Sequence, residues 1–276
     1  MRPRLGHIQF LNCLPLYYGL VKSDALLDVD LVKAPPRRLA EMLVADELDA
    51  APIPAIEYAR HADDLVLIPD ISISSDGEVQ SILLLSKVPA EDLDASCTVA
   101  LTDSSRTSQV LTKILLAKHW GVAPAYVEMP SDLGAMMREA DAALLIGDDA
   151  LRAYHQPMRE LKYDLGEVWK EYSGLPMVYA VWAARREYAE ANPREVQRLD
   201  WALNESMRYS AEHAEAVAEY AARWEALPVS FFASYFDTLR FSFTERFREG
   251  MMRYFAEAHE IGELERVPDV RLLERA

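Results

Sequence analysis

The sequence is poor in cysteine and in positive charge. It has two cysteines, Cys13 and Cys97, which match neither a CxxC pair nor a metal-ligand spacing, so a disulfide framework is not expected. Lys and Arg number 29 against 45 Asp and Glu, which gives a net charge of −16 with no basic cluster. Because nucleic acids and anionic membranes are bound through concentrated Lys and Arg, we expect neither as a partner.

The sequence also lacks long apolar runs and the common catalytic motifs. No run approaches the roughly 20 apolar residues of a membrane span, and the first residues show no secretion signal, so a cytoplasmic protein is predicted. The six histidines have no HxH or HxxxH spacing, and no metal site is expected. The motifs GxSxG, GxxxxGK[ST] and GxGxxG are absent too, so nothing points to a hydrolase elbow, a phosphate loop or a dinucleotide site.

The opening stretch, residues 4–20, carries the first functional signal. Residues 5–11 are mostly apolar and predict a strand, which breaks at Asn12 and is followed by a helix with Pro15 in its first turn. His7, Gln9 and Asn12 are polar, and a buried amide without a hydrogen bond costs about 1–3 kcal/mol. In open α/β sheets a ligand often binds beyond the carboxyl ends of the strands. The alternative is that Asn12 only caps the helix.

Strand and helix patterns alternate up to about residue 184, which indicates sheets with right-handed crossovers. A charged connector at residues 89–95 separates two such units, and the remaining chain is helical by periodicity from a start signal at Asn192-Pro193. We expect this tail to pack on the first unit, since it has no sheet of its own. The prediction is a bilobal α/β protein with residues 1–94 and 177–276 in lobe 1 and 95–176 in lobe 2. Crossings are expected near residues 84–88 and 179–183.

Four polar clusters fall near predicted strand ends, and Pro54 ends a strand at the same edge as Asn12. In the cluster at residues 104–108, hydroxyls and free N–H groups at a predicted helix start suit a carboxylate or phosphate, to which Arg106 could add a bidentate contact. The simpler alternatives are a tolerated small residue at Ser81, a helix cap with Arg106 in solvent, and capping by Asp148. The clusters are His7, Gln9 and Asn12; Gln80 and Ser81; Ser104, Ser105, Arg106, Thr107 and Ser108; and Gly147 and Asp148.

Five segments, taken together and in order, resemble the chorismate dehydratase family: GHIQFLNCLPLYYGL, DGEVQSILLLSK, TDSSRTS, DAALLIGDDALR and WKEYSGLPMVYAVWAAR. The resemblance covers about residues 4–186 and continues more loosely through the tail. It implies the periplasmic-binding-protein type 2 fold, with two mixed or parallel sheets around a central cleft. The activity implied is that of a hydro-lyase in the futalosine route to menaquinone, which removes water from chorismate to give 3-[(1-carboxyvinyl)oxy]benzoate. No metal or organic cofactor is implied.

The resemblance also implies roles for individual residues. Asn12 would lie beside the leaving hydroxyl or the reacting ring edge, and Asn12 and Ser81 are the predicted catalytic residues. Ser81 and the turn at residues 105–108 would hold carboxylates, and Asp148 would contact the ligand from the second lobe. No obvious general base appears in these motifs, and His7 is the only imidazole near them. We therefore hypothesise that the enolpyruvyl carboxylate of the substrate takes the ring proton. The alternatives are a futalosine-derived cyclase of the same pathway and a non-enzymatic receptor for small carboxylates.

Overall fold

The computed structural model describes residues 2–23, 28–224 and 227–275. The alternation of apolar and polar residues at 26–33 also predicts a strand; its first residues lie outside these ranges, and its end is observed as β2. The elements are, in order, β1 Arg4–His7, α1 Leu14–Lys22, β2 Asp30–Lys33, α2 Pro36–Val44, β3 Ala50–Pro54, α3 Ala55–Arg60, β4 Leu65–Ser75, β5 Ile82–Ser86, β6 Thr98–Thr102, α4 Arg106–Ile114, β7 Ala125–Met129, α5 Leu133–Glu139, β8 Ala142–Ile146, α6 Gly147–His155, β9 Leu161–Asp164, α7 Leu165–Ser173, β10 Met177–Arg185, α8 Arg186–Ala191, α9 Pro193–Glu212, α10 Ala214–Ala221, α11 Val229–Thr238, β11 Leu239–Arg240 and α12 Glu245–Glu260.

The strands form two mixed sheets. The first has the order β11-β4-β10-β3-β1-β2, with β10 antiparallel to its neighbours β3 and β4. The second has the order β7-β6-β8-β5-β9, with β5 antiparallel to β8 and β9. Strand β11 is antiparallel to β4 at one edge of the first sheet, whereas β1 is parallel to β2 and β3, and β6 is parallel to β7 and β8. These parallel strands are joined through helices. The α/β class and the bilobal arrangement are therefore confirmed.

The chain passes from the first sheet to the second between Ser75 and Ile82 and returns between Asp164 and Met177. The sequence placed the crossings later, near residues 84–88 and 179–183, because it assigned the apolar strand β5 to the first lobe. That strand is buried along its whole length and pairs on both edges in the second sheet. The lobe limits at residues 94 and 177 stay a prediction, and the pairing of β5 favours an earlier first crossing.

The helical tail packs mainly on the first lobe, as predicted, through the contact of α9 with α1. The Ser210 hydroxyl donates to the Pro15 carbonyl at 2.5 Å, and the Ser206 hydroxyl donates to the Leu16 carbonyl. Helix α12 also reaches the second lobe, where Lys118 forms an ion pair with Glu260 at 2.7 Å. No helix in the described ranges is long and apolar enough to cross a membrane.

The start of α9 differs in one detail from the sequence prediction. Asn192 occupies the N-cap position before Pro193, but its side chain makes no capping bond. Its Nδ2 donates to the Tyr188 carbonyl at 3.2 Å instead, in the preceding short helix α8. The predicted helix start at Asn192-Pro193 is confirmed, and only the side-chain capping bond is missing, because the Asn192 amide bonds to the preceding helix instead.

Gly19 is the point of closest approach between α1 and α9. A Cβ atom there would lie 2.1 Å from the Ser206 carbonyl oxygen, which belongs to the backbone and cannot rotate away. We predict that Gly19→Ala lowers the free energy of unfolding by about 1–3 kcal/mol, because the helices must separate. Urea denaturation measures the loss.

The matched control is Gly134→Ala in α5, where the added Cβ would meet its nearest neighbour at 3.4 Å. Alanine in a helix is favoured over glycine by about 1 kcal/mol. The control is therefore expected to be neutral or slightly stabilising. A similar loss of stability in both variants would contradict the close-packing explanation.

Candidate active site

A small cavity of about 40 Å³ lies between the two sheets, and residues from both sheets line it. Its polar side chains are an amide and four hydroxyls, and none of the described residues that line it carries a charge. The lining residues are Ile8, Phe10, Asn12, Pro36, Pro54, Ile73, Ser81, Ile82, Ser105, Ser108, Ile146, Gly147, Tyr179 and Ala180.

The segment after β1 is extended, so its side chains alternate between two sides. Ile8 and Phe10 face the cavity, whereas Gln9 is exposed to solvent. His7 lies outside the cavity with its ring edge-on to Tyr17 at 3.6 Å between centroids. Burial, with a smaller contribution from a nearby lysine, lowers the pKa of His7 to about 4. The structure thus places the predicted ligand contacts of His7 and Gln9 away from the cavity.

Asn12 lies in a single 3-10 turn, Leu11–Cys13, between β1 and α1. Helix α1 has Cys13 at its N-cap position and no side-chain cap, so Asn12 is not used as a helix cap. Asn12 lines the cavity, and its buried Oδ1 atom has no hydrogen-bond partner among the described residues. Leaving a buried acceptor unpaired costs about 1–3 kcal/mol, so this amide is available for a ligand.

Ser81 lies at the first crossing between the sheets, in a tight turn. Its N–H donates to the Val79 carbonyl at 2.7 Å across Gln80, which has a φ of 60°. The Ser81 carbonyl accepts the Gly147 N–H at 2.8 Å, and the Ser81 hydroxyl donates to the Val79 carbonyl at 3.3 Å. Gln80 is buried but does not line the cavity; its Nε2 donates to the Glu78 carboxylate at 3.2 Å.

The third cluster divides between the cavity and the surrounding structure. Ser105 and Ser108 line the cavity, with their hydroxyl oxygens 3.2 Å apart. Ser105 is the N-cap residue of α4 and makes no side-chain capping bond. The first N–H groups of a helix have no partner within it and carry partial positive charge, so this end of the cavity attracts anions.

The other residues of the turn hold the structure together. The Thr107 hydroxyl accepts the Ile56 N–H at 3.2 Å and so joins α4 to the start of α3, just after Pro54. The Ser104 hydroxyl is paired with that of Thr102 at 2.9 Å. Both are therefore occupied by bonds within the protein.

Arg106 is also occupied. Its Nη1 atom lies 2.6 Å from the Glu128 carboxylate, which at the same time binds Arg37 of α2 at 2.7 Å. The guanidinium that the sequence offers for a bidentate ligand contact is therefore paired within the protein. The three side chains form an ionic bridge from the second lobe to the first at the side of the cavity where Pro36 lies.

Gly147 and Asp148 join the two lobes on the opposite side. Gly147 has a φ of 60°, and a Cβ there would lie 3.3 Å from the Phe10 ring, so the ring packs directly on the glycine. Asp148 is absent from the cavity lining; its Oδ1 accepts the Leu11 N–H at 3.0 Å. The predicted ligand contact of Asp148 is thus replaced by a bond to the backbone of the first lobe.

Tyr179 is a cavity residue that the sequence interpretation missed. It lies in β10 within a run of apolar residues, and its hydroxyl is 2.8 Å from the Ser75 hydroxyl. Burial raises the pKa of Tyr179 far above its usual value. Its one sequence signal was a hydroxyl-bearing side chain in an otherwise apolar strand.

The carboxylate of Asp164 lies at the crossings, behind Ser81. Asp164 is 7% exposed and accepts four backbone N–H groups, those of Val79, Gln80, Gly166 and Glu167, at 2.6–3.1 Å. Burial raises the pKa of Asp164 to about 6, and the four donors act in the opposite direction. Within the described ranges, no three His, Cys, Asp or Glu side chains are grouped as a metal site requires.

Known protein structures share this architecture. A crystal structure of a protein from Archaeoglobus fulgidus superposes with a TM-score of 0.78 at 20% identity, covering 95% of this chain and 98% of that one. The periplasmic aliphatic sulphonate binding protein of Escherichia coli superposes with a TM-score of 0.68 at 18% identity, covering 99% and 97%. At these identities the likeness confirms the periplasmic-binding-protein fold.

Sequence comparison reaches further. Residues 3–260 match a family model described as menaquinone biosynthesis. Chorismate dehydratase of Thermus thermophilus is 32% identical over 274 aligned positions, which cover 94% of this chain and 96% of that protein. The chain is therefore a member of the menaquinone biosynthesis family, to which the sequence resemblance had assigned it.

Proposed function

We propose that this protein is a chorismate dehydratase, a hydro-lyase that converts chorismate into 3-[(1-carboxyvinyl)oxy]benzoate. The observation that carries the proposal is the unpaired, buried amide oxygen of Asn12 in a cavity between the lobes. The relative from Thermus thermophilus bears the name of this activity and aligns with nearly the whole chain.

The chemistry of the cavity suits this substrate. Chorismate carries two carboxylates and a ring hydroxyl, and the loss of water makes its ring aromatic. The site therefore has mainly to orient the substrate and to assist the hydroxyl as it leaves. The hydroxyls of Ser105 and Ser108 at the start of α4 would bind a carboxylate, Ser81 would bind the other, and Asn12 would contact the reacting edge of the ring.

The size of the cavity implies a movement. About 40 Å³ compares with roughly 30 Å³ for one water in the liquid and roughly 300–1,000 Å³ for ligand pockets. Chorismate therefore enters only when the lobes separate, as in other two-lobed ligand-binding proteins. The bond from Leu11 to Asp148 and the bridge from Arg37 to Glu128 would break on opening and re-form on closure.

The proton acceptor is the second part of the proposal. No histidine or carboxylate side chain lines the cavity within the described residues. The enolpyruvyl carboxylate of the substrate would take the ring proton while the ring C–O bond breaks with a hydrogen bond from Asn12 to the leaving oxygen. The carboxylic acid so formed would pass this proton to the departing hydroxide, which leaves as water. The protein then supplies orientation and hydrogen bonds, and the substrate supplies the base.

The first test uses Asn12→Ala with chorismate and no added metal or cofactor. We expect the wild type to form an enolpyruvyl-substituted benzoate, followed by NMR of the ring protons. The variant should lose on the order of 100-fold in kcat/KM, the loss typical of one hydrogen-bonding group at a reacting centre. Asn192→Ala, which alters an amide far from the cavity, should stay within about threefold of the wild type.

Two outcomes would count against this proposal. Chorismate that survives unchanged with the wild type would refute the dehydratase assignment and direct the search to the cyclase of the same pathway or to a carboxylate receptor. Equal rates for the wild type and Asn12→Ala would support the dehydratase activity but show that Asn12 does not contact the reacting groups.

The second test concerns His7. We predict that His7→Gln keeps kcat/KM within about threefold, because the imidazole lies outside the cavity. Abolished activity in a folded variant that still binds chorismate would contradict the substrate-base proposal. His213→Gln is the control, since that ring is exposed and stacks on Tyr209.

The pKa of His7 adds a prediction about stability. Its folded-state pKa of about 4 lies below the unfolded value of about 6.5, so the unfolded chain binds the proton first as the pH falls. The contribution of His7 to stability is therefore present above pH 6.5 and is lost as the pH falls towards 4. Urea midpoints at pH 7, 5.5 and 4.5 should fall more steeply for the wild type than for His7→Gln, and parallel curves would refute the assignment.

A further inference from the structure

The two segments that cross between the sheets meet at one side chain. Asp164 ends β9, the last strand of the second sheet, and is the N-cap residue of α7 on the return crossing. Its Oδ1 accepts the N–H groups of Gly166 at 2.9 Å and Glu167 at 3.1 Å. Its Oδ2 accepts the N–H of Gln80, on the outward crossing, at 2.6 Å. The Val79 N–H is shared, at 3.1 Å from each oxygen.

The outward crossing is held in an unfavourable backbone conformation. Gln80 has a φ of 60°, which costs a side-chain-bearing residue roughly 1–2 kcal/mol. The short bond from its N–H to the Asp164 carboxylate is charge-assisted, and bonds of that kind are about twice as strong as neutral ones. The next residue is Ser81, whose hydroxyl lines the cavity.

The return crossing is packed closely against the outward one. A Cβ on Gly166 would lie 2.4 Å from the Gly77 carbonyl oxygen and 2.6 Å from the Tyr179 hydroxyl. Lys170 of α7 adds an ion pair with Asp76 at 2.6 Å. The crossings are therefore fixed relative to each other over several residues, with the Asp164 carboxylate at the point nearest Ser81.

We propose that Asp164 is a positioning residue of the active site, which directs the Ser81 hydroxyl into the cavity by holding the backbone of Gln80. Asp164 has no contact with the cavity itself. It acts through the backbone N–H of Gln80, which lies on the outward crossing. The inference rests on the proposed function only where catalysis is the readout.

Replacing Asp164 by asparagine distinguishes the capping bonds to Gly166 and Glu167 from the bond to Gln80. Asn and Asp cap helices about equally well, so the side-chain oxygen of Asp164→Asn can still accept the N–H groups of Gly166 and Glu167. The side-chain NH₂ then faces the N–H of Gln80, and two donors cannot bond. The variant should keep α7 and release Gln80.

Hydrogen exchange tests the geometry without any substrate. In Asp164→Asn, we expect the amide of Gln80 to exchange at least tenfold faster, while those of Val79, Gly166 and Glu167, which keep the Oδ1 acceptor, stay within about threefold. Equal changes at all four amides, or no change, would overturn the proposal. Should Asp164→Asn fail to fold, Asp164→Ser is the second variant, because serine caps a helix but is too short to reach Gln80.

Kinetics test the action on Ser81. We expect Asp164→Asn to lower kcat at least tenfold with less than a threefold change in KM. The same substitution in a Ser81→Ala background should cost less than twofold, because the group it positions is already gone. An equal loss in both backgrounds would show that Asp164 does not act through Ser81 and would overturn the proposal.

The matched control is Asp132→Asn, since Asp132 caps α5 by accepting the Ala135 N–H at 2.9 Å and has no connection with the crossings. It should leave kcat within twofold. If the wild type does not convert chorismate, the proposed function fails on that result alone, and the exchange experiment still decides the role of Asp164.

Discussion

The hydrogen bond from the Leu11 N–H to the Asp148 carboxylate spans 137 residues of sequence and joins the two lobes at the cavity. It places the turn that carries Asn12 against the start of α6. At the same contact between the lobes the Phe10 ring packs on Gly147, where an added Cβ would lie only 3.3 Å from the ring. The position of the Asn12 amide relative to the second lobe therefore depends on this contact, and the ionic bridge of Arg37, Glu128 and Arg106 completes the closure on the other side.

The electrostatic potential of the site depends on the ion pairs that the nearby arginines Arg37 and Arg106 form. The protein carries a net charge of −16, yet its cavity is proposed to hold a dicarboxylate. Arg37 and Arg106 lie near the cavity, and their two charges are balanced by Glu41, which pairs with Arg37, and by Glu128, which pairs with both. Binding then falls to hydroxyls and to the N–H groups at the start of α4, which carry partial rather than full charges. Neutral groups cost less to desolvate than charges do, so closing such a cavity carries a smaller penalty than closing one lined by unpaired charges.

Much of this site could be predicted because its residues follow strands. Asn12, Pro54, Ser81, Ser105, Ser108 and Gly147 were proposed as site residues from predicted strand ends or from turns that follow strands, and all of them line the cavity. His7 and Gln9 were proposed as ligand contacts because they are polar, but they lie outside the cavity. The extended backbone turns the side chains of Ile8 and Phe10 inward instead.

Other features depend on contacts that a single sequence does not reveal. The partners of Arg106 are Glu128, 22 residues away, and through it Arg37 in the other lobe. Tyr179 was hidden in an apolar strand. The edge strand β9 is short, with none of its first three residues buried, so its pattern was too weak to recognise. Its last residue, Asp164, was missed with it.

The small volume of the closed cavity has a kinetic consequence. A dehydration makes two molecules from one, and both form in a space of about 40 Å³ while the Leu11–Asp148 and Arg37–Glu128 contacts hold the lobes together. The product can then leave only when the lobes part. Each turnover would include one full cycle of opening and closing, so the frequency of that cycle would set an upper limit on kcat, however fast the elimination itself becomes.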